Sequence, residues 1–157
     1  SHFQGILNNR LRMTDRNGEM AMINAISKVT LYVNNQEEAK AFWTEKVGFE
    51  VRSEEQMGPD MKWIEVGPAQ GDTTVFVLYD KKMMEAQNPK VNVGHPSVMM
   101  STDNIEEAYK ELLEKGVSVG EIKRMPYGNM FQFEDMDGNQ FLLREDTMSG
   151  WRVGKIS

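Results

Sequence analysis

The chain has 157 residues, 39% of them hydrophobic and 27% charged, with 18 Lys and Arg against 24 Asp and Glu, a net charge of −6 and no cysteine. This composition fits one ordinary globular domain and argues against disorder, fibre and, without any Lys/Arg run, a nucleic-acid partner. It excludes disulfides, thiolate metal sites and cysteine nucleophiles. No apolar stretch approaches the roughly 20 residues of a membrane span and no signal-peptide pattern opens the chain, so the expected address is the cytoplasm, away from membranes.

Residues 1–22 read as an N-terminal extension, vector-derived or spurious, with Met13 or Met22 as the natural start; they hold His2, one of only two histidines. The other is His95, so a site built on two histidines of the folded body is excluded within one chain. Ile26 to Val33 alternates and is rich in β-branched and aromatic residues, which predicts a strand. From Gln36 to Val47 the apolar residues Ala39, Phe42, Trp43 and Val47 fall at helical spacing before Gly48, which predicts an amphipathic helix. Three strands follow, Phe49 to Gln56, Met61 to Gly67 and Thr73 to Tyr79, separated by Gly- and Pro-bearing turns. Residues 81–94 form a linker with a short helix around Met83 to Gln87. The order then returns: strand Pro96 to Thr102, helix Asn104 to Lys115, and strands Val117 to Lys123, Asn129 to Glu134 and Gln140 to Glu145.

The return is visible in residues as well as in pattern. KVTLYVNNQEEA from Lys28 aligns without a gap on SVMMSTDNIEEA from Ser97, and EKVGFEV from Glu45 matches EKGVSV from Glu114 once one residue is deleted. The chain is one βαβββ unit used twice, and two such units close on each other rather than stacking into a solenoid.

The opening strand and helix ISKVTLYVNNQEEAKAFWTEKVGFEV, the repeat onset SVMMSTDNIEEAYKELLEKGV and the closing FEDMDGNQFLL resemble the glyoxalase, bleomycin-resistance and extradiol-dioxygenase superfamily, the vicinal oxygen chelate fold. The likeness runs from Ile23 to about Asp146, with Met136 where the family's Asp-Pro-Asp-Gly-Asn turn has proline. It implies an α+β domain over residues 23–146, made of unit one (23–80), a linker (81–94) and unit two (95–146), with 147–157 as a C-terminal tail. The two βαβββ units are related by a pseudo-twofold axis. Their curved mixed sheets form a cleft on the concave side, with helices on the convex side, and members commonly dimerise. A homodimer is therefore the expectation here.

In the metal-dependent members one ligand lies near the start of each unit's first strand and another on its last strand. The matching positions are Lys28, Val77, Ser97 and Leu142. An ammonium repels a dication, and two hydrocarbon side chains offer no lone pair, so no metal and no cofactor are expected. Strand alternation turns Lys28, Thr30 and Tyr32 toward the cleft, with Ser97, Met99 and Ser101 as their counterparts. Lys28 either anchors an anion or reaches past the strand end to water. Trp63 and Glu65 share one face of their strand, Trp63 as a stacking surface or an ordinary half-buried indole, and Glu65 as a partner for Lys28 or a base.

The methionines, Met99 among them, either line a permissive apolar site or fill the core. Arg144 has the parity of Leu142 and suits a carboxylate, or else lies at the surface. His95 reaches the rim as an acid or base, or is a loop residue without chemistry. The function expected is therefore metal-independent binding of a small, partly apolar and possibly anionic molecule in the cleft between the two units, sequestering it as the bleomycin-resistance members do, by Lys28, Tyr32, Trp63, Val77, Ser97, Met99, Leu142 and Arg144. The alternative is a lyase, isomerase or dioxygenase with atypical ligands or with Lys28, Glu65 or His95 as metal-free catalysts. A third reading is an interaction module whose cleft its own side chains fill.

Overall fold

The computed structural model describes residues 18, 22–23, 25–69 and 74–146; the expectations for the rest of 1–22 and for 147–157 lie outside them. Unit one comprises β1 (Lys28–Val33), α1 (Gln36–Ala41), β2 (Glu50–Gln56), β3 (Lys62–Gly67) and β4 (Val75–Asp80). A short helix, α2 (Lys81–Gln87), leads to unit two: β5 (Met99–Ser101), α3 (Ile105–Glu114), β6 (Lys123–Met125), β7 (Gly128–Glu134) and β8 (Gln140–Asp146). The fold is α+β, with two four-stranded mixed sheets in the orders β1-β4-β3-β2 and β5-β8-β7-β6. In each, the first strand pairs parallel with the last and the remaining pairs are antiparallel. Thr30 lies beside Val77 and Met99 beside Leu142, so the two ladders share one register across the internal repeat.

The helix that follows the first strand of each unit starts where the sequence supplies a cap. Asn35 accepts from the Glu38 amide and Asn104 from the Glu107 amide, with acidic side chains in each first turn facing the positive end of the dipole. Gln36 then fastens α1 to its sheet, because its Nε2 donates to the carbonyls of Lys62 at 2.7 Å and Leu78 at 2.8 Å.

The helix expected over 36–47 changes character at Phe42. Residues Phe42–Lys46 form a widened π turn, in which the Val47 amide reaches back five residues to the Phe42 carbonyl at 3.2 Å. This turn absorbs the single residue by which EKVGFEV exceeds EKGVSV, the usual way a helix accommodates an insertion. Gly48 at φ +91° ends it in a conformation that side chains disfavour.

The strand expected over 117–123 is found in two pieces. Val119 bridges Phe133 while Lys123 faces Met130, a slip of one residue that breaks the ladder into a separate bridge and the short β6. β5 is likewise shorter than the 96–102 expected, since Pro96 has no N–H to give; single hydrogen bonds at Val98 and Thr102 flank its three residues.

One core serves both units. Leu31, Val33, Ile64, Val66, Phe76 and Leu78 from sheet one, and Phe131, Phe133 and Phe141 from sheet two, belong to a single buried cluster with the inner faces of α1 and α3. Trp43, fully buried, lies at the junction, its ring 4.8 Å from Phe141, 6.3 Å from Phe133 and 5.0 Å from Phe76. The units therefore join through the faces that carry their helices. The opposite face of each sheet is directed away from that junction.

Candidate functional site

Strand alternation assigns Lys28, Thr30 and Tyr32 of β1, Val75, Val77 and Tyr79 of β4, and Trp63 and Glu65 of β3 to the open face of unit one. Glu65 and Val77 are direct partners, as are Thr30 and Val77, so these side chains form rows across three strands. Lys28 and Glu65 meet: Nζ is 2.9 Å from Oε2. The same carboxylate oxygen accepts the Trp63 indole N–H at 2.8 Å. The indole N–H, aided by the Lys28 ammonium, holds the Glu65 carboxyl below the usual carboxylate range against the opposing effect of its burial. Glu65 keeps only 13% of its side chain exposed, whereas Lys28 keeps 47%.

Beyond the pair stands an aromatic row. Tyr79 meets the Trp63 ring edge-on at 6.3 Å and the Tyr32 ring edge-on at 6.1 Å. The Tyr79 hydroxyl donates to Gln87 of α2 at 2.6 Å, which ties the linker helix to the end of this face. Val77, although it points to the open side, is buried beneath these larger neighbours.

Unit two presents a different surface. Leu142 and Met99 are adjacent on its open face, and Met130, beside Arg144, lies on the same side. Met99 is 57% exposed, the outermost of these residues. A pocket of ≈ 250 Å³ lies there, lined by Leu142, Met130, Gln132 and Lys123 among others, all from unit two. Arg144 stacks on Tyr127, with Cζ 5.1 Å from the ring centre, and donates to the Tyr127 carbonyl at 3.2 Å. Ser97 is exposed and precedes β5. His95 is held elsewhere: its Nε2 lies 2.8 Å from the Gln140 carbonyl oxygen, and its ring packs edge-on against Phe141 of the core at 4.6 Å. The fold thus brings Lys28, Trp63 and Glu65 together, groups Met99 with Leu142 and Arg144 in unit two, and leaves His95 apart from both groups.

Two contributors escaped the sequence reading. Tyr79 shares the parity of Val77 two residues away, a signal that was present. Tyr127 falls between the predicted strands that end at Lys123 and begin at Asn129, and nothing in its spacing announced that Arg144 would cover it.

The register that aligns Thr30–Val77 with Met99–Leu142 makes Val77 and Leu142 equivalent positions, with Lys28 and Ser97 at the matching strand starts. A dication does not fit this set: the amine is ion-paired, and the two hydrocarbons have no electrons to give. Among the described residues no three His, Asp or Glu side chains gather to hold a metal ion. No helix among them is long and apolar enough to cross a membrane.

Residues 25–143 match the model of the Glyoxalase/Bleomycin resistance protein/Dioxygenase superfamily. The chain belongs to this superfamily. It is 40% identical over 125 residues to the uncharacterized protein YetH of Bacillus subtilis (strain 168), covering 79% of this chain and 100% of YetH. Among solved structures it resembles TnmS3, an antibiotic binding protein from Streptomyces sp. CB03234, with a TM-score of 0.67 at 29% identity over 81% of this chain and 99% of that one. It also resembles a member of the superfamily from Sphaerobacter thermophilus DSM 20745, with a TM-score of 0.67 at 32% identity over 80% and 100% of the two chains.

Proposed function

We propose that this protein binds a small, partly apolar molecule on the open faces of its sheets without a metal ion, and sequesters it rather than transforming it. The observation that carries the reading is the row Tyr32, Tyr79 and Trp63 beside the Lys28–Glu65 pair, in which Lys28 stands at one of the positions that the resemblance gives to metal ligands. Aromatic edges and faces give a flat ligand contact area at little cost in side-chain freedom, and one ammonium fixes its orientation. The likeness to an antibiotic binding protein supports the same reading. Glu65 is poorly suited to act as a base, since two donors already stabilise its ionised form and lower its proton affinity.

A homodimer completes this reading. The open faces point away from the junction between units, and that of unit two carries exposed apolar side chains, Met99 foremost. A second copy whose unit-two face lies over the aromatic row would enclose a site between Lys28, Trp63 and Tyr79 of one chain and Met99, Leu142 and Arg144 of the other. Protein purified without chelator, analysed for metals and screened by thermal shift against planar aromatic compounds, tests the proposal. The expected result is a dimer by light scattering, less than one tenth equivalent of any transition metal, a ligand-induced rise in Tm lost in Trp63→Ala, and ligand recovered unchanged. Stoichiometric metal whose removal abolishes binding, or ligand converted to product, overturns it.

A further inference from the structure

We propose that Glu65 is a charge filter: it makes the open face of unit one select uncharged aromatic ligands over the corresponding carboxylates. The inference rests on the binding reading above and narrows the ligand's chemical class. A lone lysine on an aromatic face would ordinarily attract an anion. Here the positive charge is already spent, because Lys28 Nζ lies 2.9 Å from Glu65 Oε2. That oxygen is held in place from the other side by the Trp63 indole at 2.8 Å, so the carboxylate cannot swing away without giving up a second hydrogen bond. The charged side chains that strand register assigns to this face among the described residues are Lys28, Glu65, Glu55 opposite Trp63 and Glu50 opposite Gly67, and Arg52, at the bulge between Val51 and Ser53, lies beside the same side of Gly67. Their sum is one negative charge, which opposes an incoming carboxylate.

Nearly half exposed, Lys28 still has N–H groups to offer outward. A neutral oxygen acceptor can take one of them without competing for the ion pair. A ligand carboxylate must either share the ammonium with Glu65 at close range, where like charges repel, or displace it and leave Glu65 without its cation. Glu65 also fixes the indole, so one residue sets both the orientation of the aromatic platform and the charge it accepts.

The test uses a matched pair of probes, anthracene-2-carboxamide and anthracene-2-carboxylate, titrated against the full chain by tryptophan fluorescence and calorimetry. Wild type should bind the amide at least tenfold tighter than the acid. Glu65→Gln keeps an oxygen to accept the Trp63 N–H while removing the charge. It should bind the acid at least tenfold tighter than wild type does and the amide within threefold of wild type. Adding Lys28→Met to that variant should abolish the gain. If Glu65→Gln does not fold, Lys28→Gln serves instead: it leaves the carboxylate unneutralised and should weaken the acid at least fivefold more than it weakens the amide. Equal wild-type affinity for the two probes, or a ratio unmoved by these substitutions, overturns the filter and leaves the binding reading standing. Saturation by neither probe in any of these proteins overturns the binding reading and the filter together.

Discussion

Phe141→Ala is the substitution that most directly probes how the two units are joined. Phe141 is 1% exposed. It stacks on Phe133 at 5.6 Å, takes the edge of Trp43 at 4.8 Å and lies tilted against Phe76 at 6.1 Å, so it contacts both halves of the repeat. Removing the ring forfeits about 1.5–3 kcal/mol of transfer free energy. The cavity and the lost ring pairs raise the total to roughly 3–5 kcal/mol, because these three rigid neighbours cannot collapse into the space. For a chain of this size that loss is a fall in Tm of roughly 6–20 °C. Urea unfolding at fixed protein concentration, followed by tryptophan fluorescence and far-UV circular dichroism, should show one coincident transition at a lower midpoint with an unchanged slope. A loss below about 1 kcal/mol, or separate transitions for the two probes, would refute the claim that a single core spans both units.

Three further predictions follow from the same structure. Asn104→Ala removes the cap that accepts the Glu107 amide and should cost about 1 kcal/mol by chemical denaturation, with Asn104→Asp nearly neutral. Asp135→Ala should cost about 2–3 kcal/mol, because the buried carboxylate gathers the amides of Asp137 and Asn139 and the Asn139 side chain; thermal melts at pH 7 measure it. The lowered carboxyl groups of Glu37, Glu54 and Glu65 bind fewer protons folded than unfolded, so the stability they add is complete above the unfolded value of about 4.3. A pH series of melts should therefore fall as pH drops below about 4.3, and replacing Lys62, which pairs with Glu37 and Glu54, by Met should flatten that fall.

Much of the architecture is legible in the residues because local and global requirements agree. Asn35 and Asn104 cap helices that also carry their apolar stripes, and the alternation in β1 and β3 separates core from open face. What was not legible depends on tertiary contacts. The π turn needs two facts at once, the missing residue in the second copy and the burial of both Phe42 and Trp43. The break between Val119 and Lys123 arises from the register against β7, which no pattern within the segment encodes. At the candidate site, the Lys28–Glu65 contact follows from parity and the pairing of β1 and β3 with β4. The occupation of His95 by a backbone carbonyl and an aromatic ring depends on the path of the linker, which composition does not specify.

Trp43 has Leu112 as its counterpart in the second copy, and the widened turn occurs in the first copy alone among the described residues. The halves have therefore ceased to be interchangeable. A tandem of two first halves would crowd two indoles into the seam, and a tandem of two second halves would leave a void where the single indole now sits. The shared strand order records one unit used twice, but exchange of its halves is closed by one ring and one inserted residue.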